Sequence, residues 1–219
     1  MAEIWDFLHS PAAAAAFNMG LDEALLRTAA KRGRPLVRVY SWEKPAITFG
    51  YFQKFPANLA NGHEVVRRPT GGGVVYHVKD TTYTVVVSPG HSLHAMKTMD
   101  AYCALHKAIA AAFETQPRLH KAELYSPQGQ YECFQKPVRG DVVTDGRKLA
   151  GGAQRRTKSG MLHQGSIDAK LSAEHLKRGF REALGVDFED YEVTDAERAI
   201  AEKLVVEKYA TDAWNRYLR

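Results

Sequence analysis

The chain has 219 residues, 45% of them hydrophobic and 25% charged, with a formal net charge of +5. That length can bury a substantial core in one large domain or two small ones, and the composition is that of a globular protein. The basic excess could serve nucleic acid, but it comes without an arginine-rich tail or a nucleic-acid motif, and an acidic protein partner explains it equally well. No apolar run reaches transmembrane length and no signal peptide opens the chain. With only two cysteines, Cys103 and Cys133, a cytoplasmic protein with reduced thiols is expected.

In chain order, Ile4 to Leu8 reads as a short apolar strand. The alanine run from Ala12 to Ala16 begins or abuts a helix that Asn18 could cap, with Leu21, Leu25 and Leu26 on one face. Gly33 and Pro35 end that helix near Lys31. Leu36 to Tyr40 and Ala46 to Gly50 read as strands. Glu64 to Arg67 leads into three consecutive glycines. Val74 to His77 and Thr82 to Ser88 then form a candidate hairpin around Lys79-Asp80. Lys97 to Phe113 is helical, with Met99, Cys103, His106, Ile109 and Phe113 at helical spacing. Tyr125 to Pro137, rich in Gln, Gly and Pro, reads as loop. Strands are expected at Val138 to Thr144, Lys148 to Gly151 and Met161 to Ile167. From Ala173 the chain is helical, with a break from Gly185 to Val193. This order predicts one α/β domain, a mixed β-sheet with packed helices.

The organising stretch is RRPTGGGVVYHVKDTTYTVVV, residues 67 to 87. Gly71, Gly72 and Gly73 remove every Cβ from one tight segment, so the backbone can approach a ligand closely. Arg67 and Arg68 set two positive charges beside it. Such a loop suits a phosphate or a carboxylate, although a plain turn beside a charged strand explains the glycines too. No Gly-Lys-Ser/Thr follows, so it is not a P-loop, and it is not GxGxxG.

A second stretch, GRKLAGGAQRRTKSGMLHQGSI, covers residues 146 to 167. Arg67 to His77, Gly146 to Gln154 and Leu162 to Ser166 together resemble the lipoate-protein ligase and octanoyltransferase family, whose distant relatives are the biotin protein ligases. The N-terminal Asn18, Met19 and Asp22-Glu23, and the segment from Ser41 to Gln53, fit the same pattern. The resemblance spans roughly residues 5 to 168. It implies a biotinyl/lipoyl-transferase-like domain over 1–219, in which helices from about residue 172 complete the fold and no accessory ligase domain follows.

The resemblance also assigns residues. Lys148 matches the family lysine that contacts the acyl carbonyl or acyl-phosphate, where an ammonium stabilises the developing oxyanion. Asp145-Gly146 ahead of it is a tight-turn signal. Arg68, Gly71 to Gly73 and His77, with Gly151, Ala153 and Gln154, would line the acyl pocket. His163 and Gly165 belong to the third motif, where the usual Gln-His-Gly order stands here as His163-Gln164-Gly165. An aspartate often follows the histidine of the first motif; Val78 follows His77 here.

Cys133 separates the members. Cys103, mid-helix among apolar residues, reads as a small buried hydrophobe. Cys133 lies in the polar segment YECFQKP, fifteen positions before Lys148. That arrangement resembles the cysteine-dependent octanoyltransferases. In those enzymes the cysteine takes the octanoyl group from acyl carrier protein as a thioester and passes it to a lysine on a lipoyl domain, such as the glycine cleavage H protein or a 2-oxoacid dehydrogenase E2. A nearby cation such as Lys148 would lower the thiol pKa. The alternative is an ATP- and Mg²⁺-dependent lipoate-protein ligase, which Gly73 suits, with lipoate or octanoate as the acyl group. A third reading is a catalytically silent module that binds a lipoyl domain or an acyl ligand. No Cys/His cluster has metal-ligand spacing, and neither a membrane nor a nucleic acid is implied.

Overall fold

The computed structural model describes residues 2–115, 117–121 and 137–217. Cys133 and most of the 125–137 stretch read as a loop lie outside the described residues. In chain order the elements are β1 (Glu3–His9), α1 (Ala15–Arg32), β2 (Leu36–Tyr40), β3 (Ala46–Phe49), β4 (Glu64–Arg67), β5 (Val75–His77) and β6 (Thr81–Val87). Then come α2 (Ser92–Ala95), α3 (Thr98–Ala111), β7 (Arg118–Leu119), β8 (Val142–Thr144), β9 (Arg147–Thr157) and β10 (Gly160–Ile167). The chain continues through α4 (Ala173–Leu184), β11 (Val186–Asp190), α5 (Asp195–Leu204) with a π-helical turn over Val205–Tyr209, and α6 (Asp212–Asn215).

Among the described residues, eight strands form one mixed sheet in the order β11-β1-β2-β6-β10-β9-β8-β7, and β4-β3-β5 form a second, smaller sheet. Strand β1 pairs parallel with both β11 and β2, whereas β6, β10 and β9 run antiparallel to their neighbours. Helices cover both faces of the large sheet. On one face α3 and α4 bury Leu105, Ile109, Leu176 and Phe180 against Trp5, Val37, Val85 and Met161. On the other, α1 and α5 bury Leu21, Leu25 and Ala201 against Leu8, Leu36, Val86 and Leu162. Strand β6 is buried at every position, so its apolar end, Val85, Val86 and Val87, shows no alternation. Each of these large side chains contributes roughly 2–3 kcal/mol by leaving water.

Several expectations are corrected. The two strands of the expected hairpin exist but do not pair: β5 joins the small sheet through β3, and β6 sits between β2 and β10 in the large one. The Lys79-Asp80 turn is therefore a crossing from one sheet to the other. Asn18 does not cap α1. The helix begins at Ala15, and Asn18 lies fully buried inside its first turn, donating to the carbonyls of Ala13 and Ser41. The end of α1 is satisfied from a distance, since the Ala15 N–H donates to Glu64 Oε2 at 2.7 Å, an anion at the positive end of the helix. The break between Gly185 and Val193 contains β11, which extends the sheet beside β1. Strand β9 runs through the whole second motif to Thr157, and the strand before it is confined to Val142–Thr144. The Asp145-Gly146 turn forms as its residue types require: φ is 47° at Asp145 and 78° at Gly146.

Candidate active site

A cleft of about 450 Å³, counted out to its mouth, opens where the two sheets meet. Met19 of α1, Tyr40 at the end of β2, Trp42 and Val75 of β5 give it an apolar wall. Thr48, Arg68, His77, Thr82, Gln164 and Ser166 form a polar end, and Lys148 with Gly151, Gly152, Ala153 and Gly165 forms the floor. The register of β9 against β10 builds that floor by setting Ala153 opposite Gln164, Gly152 opposite Gly165 and Gly151 opposite Ser166.

Of the residues singled out from the sequence, Arg68, His77, Lys148, Gly151, Ala153 and Gly165 come together around this cleft. Gly71, Gly72 and Gly73 do not line it. Arg68 instead gathers their loop, donating to the carbonyls of Gly71 at 2.7 Å and of Gly73 at 2.7 Å. Arg67 is a staple: its guanidinium donates to the carbonyls of Tyr51, Gln53, Trp214 and Asn215. His163 and Gln154 are cross-strand neighbours, and neither lines the cleft. Successive side chains of a strand point to opposite faces, so Gln164 and Ser166 reach the cleft while His163 packs behind it against Tyr83, Tyr102 and His106. The His163-Gln164 order thus presents an amide, not an imidazole, to the cleft. Burial holds the His163 ring neutral, well below its ordinary range, and the neighbouring His106 adds to the effect.

His77 is oriented on both of its nitrogens. Nδ1 lies 2.8 Å from Asp80 Oδ2 and Nε2 lies 2.9 Å from the Thr48 hydroxyl. Arg68 donates to that same hydroxyl at 3.2 Å. The Asp80 carboxylate only accepts, so Nδ1 carries a proton, and on a neutral ring Nε2 then accepts from the Thr48 hydroxyl. Trp42 stacks on the ring at 4.2 Å. Asp80 also accepts from Thr82 and Ser166. Burial pushes its carboxyl up, but the His77 ring and these hydrogen bonds outweigh that and hold it below the usual range. Asp80 therefore supplies, three positions along, the carboxylate that does not directly follow His77.

Gln164 ties the cleft to the buried core. Its amide nitrogen donates to Asp22 Oδ2 at 2.7 Å and its oxygen accepts from Thr70 at 2.7 Å, which anchors the glycine loop. Asp22 is itself fully buried, paired with Arg38 at 2.7 Å, and accepts from Tyr40 and Thr84. Burial and then the Asp22 carboxylate push the Tyr40 hydroxyl well up, so it stays protonated as a donor. Asp22, Asp80 and Gln164 are the residues that sequence reading left without a role. Lys148 brings the charge: its Nζ lies 2.8 Å from Asp141 Oδ2, with both side chains almost out of water. A fixed ammonium beside bare glycine backbone is suited to polarising a carbonyl and holding an oxyanion.

Residues 14–208 match the lipoyl protein ligase A/B catalytic domain. The chain is 32% identical to the octanoyltransferase LipM of Geobacillus kaustophilus, over 97% of this chain and 98% of that one. It is 31% identical to the LipM of Bacillus subtilis over the same shares. In shape it is similar to a bi-partite lipoate protein ligase of Thermoplasma acidophilum, with a TM-score of 0.78 at 21% identity, covering 99% of this chain and 98% of that one. With three motifs meeting in one cleft and a family match over nearly its whole length, the chain belongs to the lipoyl protein ligase A/B catalytic-domain family.

Proposed function

We propose that the chain transfers an octanoyl group from a thioester donor to the lysine of a lipoyl domain. The observation that carries this reading is the placement of Lys148 in the floor of a cleft whose wall is apolar, in a chain similar end to end to octanoyltransferases. The wall of Met19, Tyr40, Trp42 and Val75 suits an alkyl chain, and the floor at Lys148 suits its carbonyl.

The chemistry runs in two steps. The Cys133 thiolate attacks the donor thioester, an S-octanoyl bond forms, and the donor leaves as a thiolate that takes its proton from water. The neutral acceptor amine then attacks that carbonyl, the amide forms, the Cys133 thiolate departs, and the proton lost by the amine passes to solvent. In both steps negative charge develops on the carbonyl oxygen, and Lys148 is the group that meets it. Arg68 and Gly71 to Gly73 hold the loop that frames the polar end, while His77, Gly151, Ala153 and Gly165 line the cleft. Gln154 and His163 support it from behind. The donor is already activated, so the reaction consumes no ATP and uses no Mg²⁺.

The donor in this reading is octanoyl acyl carrier protein. The acceptor is a lipoyl domain, the class of partner studied with the Thermoplasma ligase. We read 1–219 as one catalytic domain. The pairing of β11 with β1 and the packing of α5 on α1 support that reading, since the C-terminal elements complete the sheet and its cover. No helix among the described residues is long and apolar enough to cross a membrane, which accords with a cytoplasmic enzyme.

The test is the intact mass of the protein after incubation with octanoyl acyl carrier protein in the absence of ATP. The expected result is a hydroxylamine-labile octanoyl adduct that disappears in Cys133→Ala. Lipoylation that requires ATP, with no adduct, would establish a ligase instead. Silence in both assays would point to a binding module.

A further inference from the structure

What holds the Lys148 ammonium in place lies behind the cleft wall. Asp141 is fully buried, and its two carboxylate oxygens have separate duties. Oδ2 pairs with Lys148 Nζ at 2.8 Å and accepts from the Val138 N–H at 2.8 Å. Oδ1 accepts from the Tyr102 hydroxyl at 2.6 Å. That hydroxyl in turn accepts from the N–H of Gly152 at 3.0 Å. The directions are unambiguous. A carboxylate only accepts and a backbone N–H only donates, so the single Tyr102 proton must go to Asp141.

The chain of contacts begins and ends on the same strand. Gly152 and Lys148 both belong to β9, and both line the cleft. Between them the path leaves β9, crosses Tyr102 of α3, passes through Asp141 and returns to the Lys148 ammonium. Lys148 cannot move along the strand without stretching its contact to Asp141. Asp141 cannot follow without losing Tyr102. Tyr102 is fixed by helix packing and by the Gly152 N–H. Burial, and then the Asp141 charge, push the Tyr102 hydroxyl well above its ordinary value, so it remains a donor across the working pH range. An isolated buried ion pair returns its desolvation cost only when further hydrogen bonds complete it, and Tyr102 and Val138 supply these.

We propose that Tyr102 and Asp141 are positioning residues for acyl transfer, acting through Lys148 by fixing its ammonium beside Gly151 in the floor of the cleft. The inference rests on the reading of this site as an acyltransferase. Tyr102 reaches no lining position of the cleft, so its effect falls on the geometry of Lys148 and not on the room for the acyl chain.

Tyr102→Phe is the deciding variant, because it keeps the ring in its packing and removes only the hydroxyl. Two readouts are taken on the whole protein. The first is the rate at which acetic anhydride labels Lys148, followed by peptide mass spectrometry, which needs no turnover. It is expected to rise severalfold in Tyr102→Phe. The second is transfer from octanoyl acyl carrier protein, where kcat is expected to fall about tenfold or more with KM unchanged, since small misplacements of a reacting group cost that much. Unchanged Lys148 labelling would overturn the inference, as would a raised KM at constant kcat. An inactive wild type would sink the acyltransferase reading alone, because the labelling still decides whether Tyr102 fixes Lys148.

Discussion

Gly152 and Gly165 face each other across β9 and β10, and aromatic rings stand where their Cβ atoms would be. A Cβ on Gly165 would lie 2.3 Å from the Tyr83 ring, and one on Gly152 would lie 2.6 Å from His163 Nε2. The floor of the cleft is therefore bare backbone because the layer behind it is full. Gly165 answers to Tyr83, and Gly152 to His163, as much as either does to any ligand.

Gly165→Ala is thus an overpacking mutation. Tyr83 is fully buried and cannot swing aside, so the cost is about 2 kcal/mol or more. In a chain of this size that lowers Tm by about 5 °C or more, measurable by calorimetry. The double variant Gly165→Ala/Tyr83→Leu should recover part of the loss. Equal losses that simply add would show that the ring is not what the glycine makes room for.

Gly151→Ala should behave differently, although it lies beside Gly152, the residue opposite Gly165. A Cβ there would stand 2.4 Å from Lys148 Nζ and 3.1 Å from Asp141 Oδ1. The nearer neighbour is the end of the Lys148 side chain, which shifts only by loosening its pair with Asp141. The expected outcome is a smaller fall in Tm than in Gly165→Ala, with kcat reduced about a hundredfold, because the ammonium is displaced from the reacting carbonyl. A large fall in Tm with kcat intact would show that Gly151 serves the fold and not Lys148.

The contrast between these neighbours shows what could be read from the chain. The Asp145-Gly146 turn, the triple glycine and β6 follow from local chemistry, since φ preferences and apolar runs are properties of a few adjacent residues. The partner of each strand is not. Val75–His77 and Thr81–Val87 sit close in sequence, yet each finds its neighbours elsewhere because the turn between them changes sheets. The short β11, with only Val186 fully buried, carries too little apolar pattern to stand out between two helices. The cap of α1 comes from Glu64, forty-nine residues away, so no window around Ala15 could reveal it. The placement of His163 behind the cleft was within reach. Alternation along Leu162, Gln164 and Ser166 puts the histidine on the other face, but a sheet covered on both sides hides which face is which.

Asp80 offers a test of the His77 arrangement. One carboxylate oxygen accepts from His77 Nδ1, Thr82 and Ser166. Asp80→Ala takes the acceptor from three largely buried donors and should cost about 2 kcal/mol. Asp80→Asn keeps an acceptor oxygen and should cost less than half of that. Activity should follow the same order, because the asparagine still holds the proton on Nδ1 and the ring beneath Trp42. Equal losses in the two variants, read by urea unfolding and by transfer rate, would mean that the negative charge matters and the acceptor geometry does not.

The last prediction concerns acid. His106 is fully buried in α3, with Nδ1 2.8 Å from the Gly140 carbonyl and its ring against Tyr102 and His163. Burial pushes its pKa down from 6.5 to about 4, against the pull of Asp141 and the Gly140 carbonyl and with the help of the Lys148 charge. A histidine whose folded value lies below its unfolded one binds its proton first in the unfolded chain. Above 6.5 both states are neutral and stability is unaffected. As the pH falls from 6.5 to about 4 the unfolded state gains a proton that the folded state refuses, and stability drops by about 3 kcal/mol. Below that window the loss from this residue levels off. His163, held neutral in the same way, adds to the slope. His106→Asn keeps a donor for the Gly140 carbonyl and removes the titration. Unfolding free energies measured from pH 7 to pH 4 should therefore fall less steeply in the variant than in the parent. Parallel curves would show that the imidazole takes up its proton without opening the fold.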